Sequence, residues 1–286
     1  MTAARDLRPF LEAVHARFHT PAHALQDPVR FPRAFADRAD REVVGFVAAA
    51  MAFGRVAGFT RVLDALFARL GPHPAAEIAA MDVAACRRVG AGLVHRFVGP
   101  EQIAGLLVGL GGLVRDDGGL EPAFQRGFRA SGDVIDGLAS LADALRRSQP
   151  SPGFLVSAVG PQNPAKRLNL FLRWMVRADD LDLGLWRDVP ARALLVPLDV
   201  HVFRIAQLVG MLPPRRSGPR LADARALTAA LARLDPDDPV RFDFALSHLG
   251  ISGECLGRFR PDVCGGCGLR PACRAAISSP RRGSAV

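Results

Sequence analysis

Helical periodicity runs through nearly the whole chain, and it limits the fold more than any other feature. Apolar residues recur every three to four positions, and alternating strand patterns joined by hairpin turns are missing from the sequence. The pattern predicts helical segments at about 6–19, 40–70, 75–87, 100–115, 120–129, 132–148, 151–159, 164–177, 199–211, 221–234 and 238–250. We therefore expect an all-α fold.

Helix-end signals refine this expectation at two places. Acidic Asp40 and Glu42 suit the positive start of a helical region that Gly71 and Pro72 end. After the turn at 160–164, Pro164 has the geometry of a first-turn proline, so we expect the next helix to begin there.

Composition points to a polyanionic partner. The 286 residues include 37 basic and 28 acidic side chains, which gives a net charge of +9. The longest apolar run is too short to span a membrane, and the N-terminus has no signal-peptide core. We expect a cytoplasmic, nucleoid-associated protein with reduced or metal-bound cysteines and no obligate protein partner.

Four cysteines near the C-terminus form one compact motif. Cys255, Cys264, Cys267 and Cys273 follow the spacing C-x8-C-x2-C-x5-C. Four thiolates in one loop can hold a [4Fe–4S] cluster or a tetrahedral zinc ion. Zinc sites more often use two C-x2-C pairs, so the spacing favours the cluster, although zinc or no metal stay open. The fifth cysteine, Cys86, has the pattern of a core residue.

A single lysine, Lys166, stands among 36 arginines. An amine can lose its proton and form a Schiff base, whereas guanidinium cannot serve as an amine nucleophile. The expected helix start and neighbouring Arg167 both favour the neutral amine. Asp199 follows Pro197 at another expected helix start, where one carboxylate oxygen can cap amides while the other stays available. The alternatives are a surface lysine that binds phosphate and an ordinary N-cap.

These residues carry a resemblance to a known superfamily. The chain resembles the helix-hairpin-helix DNA glycosylases, the superfamily of endonuclease III, and more closely a bacterial family of unknown function within it. The similarity extends over roughly residues 7–275. Its carrying segments are 27–32, 40–45, 52–55, Lys166–Arg177, Pro197–Arg204 and Phe242–Gly250, followed by the four-cysteine loop. The separation of Lys166 and Asp199 is similar to that in archaeal 8-oxoguanine glycosylases.

The resemblance implies a two-lobed glycosylase-like fold that forms one globular unit. Its parts are an N-terminal helical lobe (1–150), a helix-hairpin-helix-like catalytic region (151–250), an iron–sulfur loop (251–276) and a disordered tail (277–286). Prolines 161 and 164 leave the expected hairpin with fewer amide donors than the superfamily's glycine-rich turn. The first cysteine gap is also longer than in endonuclease III.

The resemblance also implies an activity. Lys166 would attack the sugar carbon that bears a damaged base, Asp199 would assist it, and β-elimination could then nick the strand. The substrate would be lesion-containing double-stranded DNA, with an oxidised purine as one candidate, and the base would flip into a pocket. Residues from Met51 to Arg55 are wedge or pocket candidates. Expected DNA contacts are His201, Arg204, Arg55, Arg167, Arg215 and Arg216. The alternatives are a non-catalytic DNA- or RNA-binding protein and a zinc-stapled structural protein.

Overall fold

A computed structural model describes residues 6–277. Ile277, expected to begin the disordered tail, is instead the last residue of a helix, and the rest of the expected tail (278–286) lies outside the described residues. The helices are α1 (Arg8–Phe18), α2 (Pro21–Ala24), α3 (Arg30–Arg33), α4 (Arg38–Met51), α5 (Val56–Leu70), α6 (Pro74–Ala80), α7 (Val83–Gly90), α8 (Pro100–Asp117), α9 (Glu121–Ser131), α10 (Val134–Arg146), α11 (Lys166–Val176), α12 (Val200–Leu208), α13 (Leu221–Ala232), α14 (Asp243–Ile251), α15 (Pro261–Cys264) and α16 (Arg274–Ile277). Short 3-10 helices lie at Gly153–Leu155, Ala191–Ala193 and Arg270–Ala272.

The all-α prediction is confirmed for the described residues, where only three isolated bridges and no strands occur. Helix α8 packs against α6 and α7, and α9 packs closely on α10. Helix α4 packs on α11, while α1 packs on α14, so helices from both halves of the chain meet. A continuous apolar core runs from Leu11 to Leu269 and includes Cys86, as predicted.

The expected helical region 40–70 is broken by a turn. Helix α4 ends at Met51 and α5 begins at Val56, with Gly54 between them at a φ of 79°. Glycine adopts this left-handed conformation without a Cβ penalty. The break matters because it turns Phe53 and Arg55 toward the main cleft of the molecule.

Asp40 lies in the first turn of α4, as predicted, but Asp40 and Glu42 also have a role that was not predicted. Asp37 caps α4 by accepting from two amides, while Asp40 is buried and accepts from the Ala75 amide of α6 at 2.8 Å. Buried Glu42 accepts from the Trp186 indole at 2.6 Å and from the Leu120 amide at 2.8 Å. These carboxylates therefore tie α4 to distant segments by satisfying buried donors.

No helix between residues 6 and 277 is both long and apolar enough to cross a membrane.

Candidate active site

A large polar cleft lies between the α4–α5 turn and three helices. Its volume is about 680 Å³, within the range of small-ligand sites. The α4–α5 turn, α11, the start of α12 and α14 form its walls. The polar residues among its lining are Gln26, Asp27, Arg55, Lys166, Arg167, Arg173, Asp199, His201, Asp243, Ser247 and His248.

Lys166 is the first residue of α11 and lines this cleft while half-buried. The preceding Ala165 has a φ of 50°, so the chain enters the helix from a left-handed residue, and Pro164 lies outside the helix rather than in its first turn. Asn163 fixes the approach, because its amide nitrogen donates to the Ala158 carbonyl and its amide oxygen accepts from the Ala165 N–H at 2.9 Å. The two hydrogen bonds of Asn163 therefore fix the turn that positions Lys166.

Asp199 is the N-cap of α12, as predicted. Its Oδ1 accepts from the amides of His201 at 2.9 Å and Val202 at 2.8 Å. Its Oδ2 has no hydrogen bond among the described residues, and the side chain lines the cleft. One oxygen thus orients the carboxylate while the other faces a ligand-sized space.

Asp243, the first residue of α14, was not predicted as a site residue. It is only 2% exposed, its Oδ2 accepts from Nη1 of Arg173 at 2.5 Å, and its Oδ1 is buried without a partner. Burial raises the pKa of Asp243 to about 6; the Asp199 charge adds to this rise, while Arg173 and Lys166 oppose it. The charges of Lys166 and Asp199 therefore both act on the Asp243 carboxyl.

A charged network anchors the cleft floor. Arg173, two turns along α11 from Lys166, pairs with Asp182 at 3.3 Å and with Asp243. Arg177 pairs with Asp182 at 2.5 Å and with Asp238 at 2.8 Å. Burial acts to lower the pKa of Arg173, but these carboxylates outweigh it and hold the pKa above its usual range. The network fixes α11 against α14 and against the segment after α11.

A second pair, Asp27 and His248, lies at the far side of the cleft. The Asp27 carboxylate is 3.3 Å from Nε2 of His248 and accepts from the Val29 amide at 2.9 Å. Burial acts to raise the pKa of Asp27, but the His248 hydrogen bond and the Arg173 charge outweigh it and lower the pKa. Nothing in the sequence marked the pair, because 221 positions separate its members.

The expected DNA contacts fall into two groups. Arg55, Arg167 and His201 line the cleft, with Nδ1 of His201 buried and unpartnered. Arg204 lies outside the cleft lining, where it packs over Gly257 in the cysteine-rich segment.

Two of the expected arginines have partners within the protein. The Arg167 guanidinium donates to the carbonyls of Ala50 and Phe154 at 2.5 Å each, and burial lowers its pKa to about 10. Arg215 pairs with Asp223, whereas neighbouring Arg216 is exposed; neither is part of the cleft lining. Of the pocket candidates, Met51 is core and Phe53 lines the cleft.

The four cysteines share one apolar cavity. Cys255, Cys264, Cys267 and Cys273 line it together with Ile205, Leu208, Val209, Leu249 and Leu269. Burial raises the pKa of Cys255 and Cys267, and repulsion from neighbouring cysteines contributes. Between residues 6 and 277, no group of three or more His, Cys, Asp or Glu side chains has metal-site geometry. The soft donor set and its shared cavity nevertheless fit a thiolate-bound group.

The fold and cleft define an all-helical protein with a polar, ligand-sized site around its only lysine. The chain belongs to the family described as Protein of unknown function (DUF2400), whose model matches residues 27–252. No curated protein matches the chain. The family match includes Lys166, Asp199 and Asp243 and ends before Cys255, the first of the four cysteines.

Proposed function

We propose that the chain is a DNA repair glycosylase of the helix-hairpin-helix type, which binds lesion-containing double-stranded DNA and takes a flipped, damaged base into the cleft. The observation that carries the proposal is that the only lysine lines the same cleft, of about 680 Å³, as two carboxylates, Asp199 and Asp243, and that its charge acts on Asp243. A nucleophilic amine needs an adjacent group that accepts or stabilises charge, and the unbonded oxygen of Asp199 supplies one.

In the proposed reaction, the Nζ lone pair of Lys166 attacks C1′ of the damaged nucleotide. The C1′–N bond breaks, and its electrons leave with the base, which takes up a proton. Asp199 stabilises the positive charge that develops on the sugar. Nζ then loses one proton, its lone pair opens the C1′–O4′ bond as O4′ takes up a proton, and a protonated imine forms. Removal of a C2′ proton expels the 3′ phosphate, which is the lyase step.

In this proposal Cys255, Cys264, Cys267 and Cys273 hold a [4Fe–4S] cluster, with zinc as the alternative. Bound there, the group would brace the segment after α14 and would take no part in the reaction. Visible absorption and metal analysis of purified protein distinguish the two, because an iron–sulfur protein is brown and a zinc protein is colourless.

The test is borohydride trapping on duplex DNA that carries an abasic site or a panel of oxidised bases. Borohydride reduces the imine to a stable amine, so wild-type protein should become crosslinked to DNA and Lys166→Arg should not. A double variant, Lys166→Arg with Arg129→Lys, again contains one lysine but on the exposed face of α9, and it should not trap. If the wild type fails on every duplex, or the double variant traps equally, the mechanism is wrong. Retained DNA binding without trapping would favour the non-catalytic alternative.

A further inference from the structure

Three phenylalanines and three arginines form a surface beside the cleft: the rings contact one another, Phe53 and Arg55 also line the cleft, and the three arginines line a neighbouring groove. We call it the aromatic–arginine surface; it comprises Phe53, Phe97, Phe154, Arg55, Arg61 and Arg96. Phe97 is 59% exposed and Phe154 44% exposed, while Phe53 is half-buried and also lines the cleft. Exposed aromatic rings in contact with one another are costly in water and commonly mark binding sites.

The rings are fixed in place before any ligand binds. Phe97 stacks on Phe53 with centroids 5.6 Å apart and meets Phe154 edge-on at 4.7 Å. The Arg167 guanidinium lies 4.3 Å from the Phe154 centroid, and its hydrogen bonds join that ring's backbone to the end of α4. Buried His95 contacts Phe53 from another side and has Nε2 2.7 Å from the Phe53 carbonyl. Such support removes most of the ordering cost of binding.

A tight turn holds Phe97 outward. His95 and Val98 exchange two backbone hydrogen bonds of 2.9 Å, which leaves Arg96 and Phe97 at the tip. Arg96 has a φ of 55°, an unfavourable conformation for a residue with a side chain. Gly54 comes so close that a Cβ there would lie 3.0 Å from Cδ of Arg96. Strain of this kind is retained where the surrounding structure enforces a particular display.

The charges around the rings indicate which class of ligand suits this surface. Arg55, Arg61 and Arg96 are exposed and form no ion pair among residues 6–277. Several arginines on the outer helices are instead paired, as in Arg87 with Glu101 and Arg126 with Asp117. Uncompensated arginines beside exposed π faces suit a ligand with flat rings and regularly spaced negative charges, which describes a DNA strand.

We propose that the aromatic–arginine surface binds an unpaired nucleobase of the DNA strand that runs past the cleft. Phe97 stacks on the base, and Arg55, Arg61 and Arg96 contact the flanking phosphates. This inference rests on the proposed function in taking DNA as the ligand, but it assigns a separate binding step to residues outside the chemistry at Lys166.

The experiment measures binding of a lesion-free thymidine oligonucleotide of about ten nucleotides. Phe97→Ala should weaken binding by about 5- to 100-fold. Phe97→Leu keeps apolar area without a π face and should be nearly as weak, whereas Phe97→Trp should bind like the wild type. In the Phe97→Trp variant, fluorescence of the introduced indole should be quenched as oligonucleotide is added, against the background of buried Trp174 and Trp186.

Charge is tested separately. Arg96→Ala should reduce the slope of log affinity against log salt concentration by about 0.7. Arg129→Ala removes an equal charge from α9, where Arg129 already pairs with Asp188, and should leave the slope unchanged.

Three results would each overturn the proposal: equal binding by Phe97→Leu and wild type, no quenching of the introduced indole, or equal effects of the two arginine changes. The outcomes also separate this proposal from the catalytic one. Trapping by the wild type without quenching in Phe97→Trp overturns this surface alone, whereas quenching without trapping overturns only the catalytic proposal.

Discussion

The charged side chains at the two ends of α11 differ in whether they form ion pairs. Arg173 and Arg177, toward its C-terminal end, are buried, and each pairs with two or more carboxylates. Lys166, at its N-terminal end, has no ion pair among the described residues and faces a cleft. The paired arginines fix the position of the helix, whereas unpaired Lys166 can contact a ligand in the cleft. Substitutions at the two ends should therefore separate stability from function.

Arg173→Met should have the largest effect on stability. It leaves the buried carboxylates of Asp182 and Asp243 without their shared counter-charge, at a cost of about 3–5 kcal/mol in the free energy of unfolding. Denaturant titration measures this loss. Arg126→Met breaks the exposed pair with Asp117 and should cost less than about 1 kcal/mol. If Arg173→Met and Arg126→Met lower the free energy of unfolding equally, the buried ion pairs do not stabilise the fold more than exposed ones.

Asp199, the N-cap of α12, lines the same cleft as Lys166, and two substitutions there separate its capping role from its charge. Asp199→Ala removes the acceptor for the His201 and Val202 amides and should cost about 1 kcal/mol, whereas Asp199→Asn keeps an acceptor and should change stability by only a few tenths. Under the proposed mechanism both variants lose borohydride trapping on duplexes that carry an oxidised base, because positive charge develops on the sugar only as that base leaves. Asp82→Ala removes the N-cap of α7, which does not line the cleft. This variant should therefore lose about as much stability as Asp199→Ala but should still become crosslinked to DNA. Trapping by Asp199→Asn at the wild-type level would remove Asp199 from the mechanism.

The sequence predicted what depends on local pattern. Helical periodicity identified most helices, and a proline followed by an acidic residue correctly placed the Asp199 cap. The break at Gly54 and the start of α11 were not predicted, because close packing and a left-handed Ala165 determine them. Asp243 could have been noticed as an acid within the apolar run 242–250, since charged groups are buried only with partners.

The pairings that complete the cleft could not be predicted in this way. Arg173 meets Asp243 across 70 positions, and the carbonyl of Ala50 that engages Arg167 lies 117 positions away. A sequence does not show which backbone carbonyl an arginine will contact. Arg167 therefore could not be distinguished from an exposed arginine that contacts DNA. Single-chain patterns report which side chains carry charge, whereas the fold decides which charges are compensated.

Asp243 joins the two ends of α11, because one oxygen belongs to the Arg173 network and the carboxyl also interacts with the Lys166 charge. Its pKa of about 6 lies above the ordinary value of 3.8, so folding favours the neutral carboxyl. This contribution to stability is fully present below pH 3.8 and is lost as pH rises through 6. Relative to Asp243→Asn, the wild type should therefore lose about 1 kcal/mol of unfolding free energy between about pH 5 and pH 7. Lys166, Asp199 and Arg173 act on this carboxyl and are unchanged in the variant. Denaturant titrations of both proteins across this range measure the difference, and a constant difference would mean that Asp243 stays ionised and belongs wholly to the buried network.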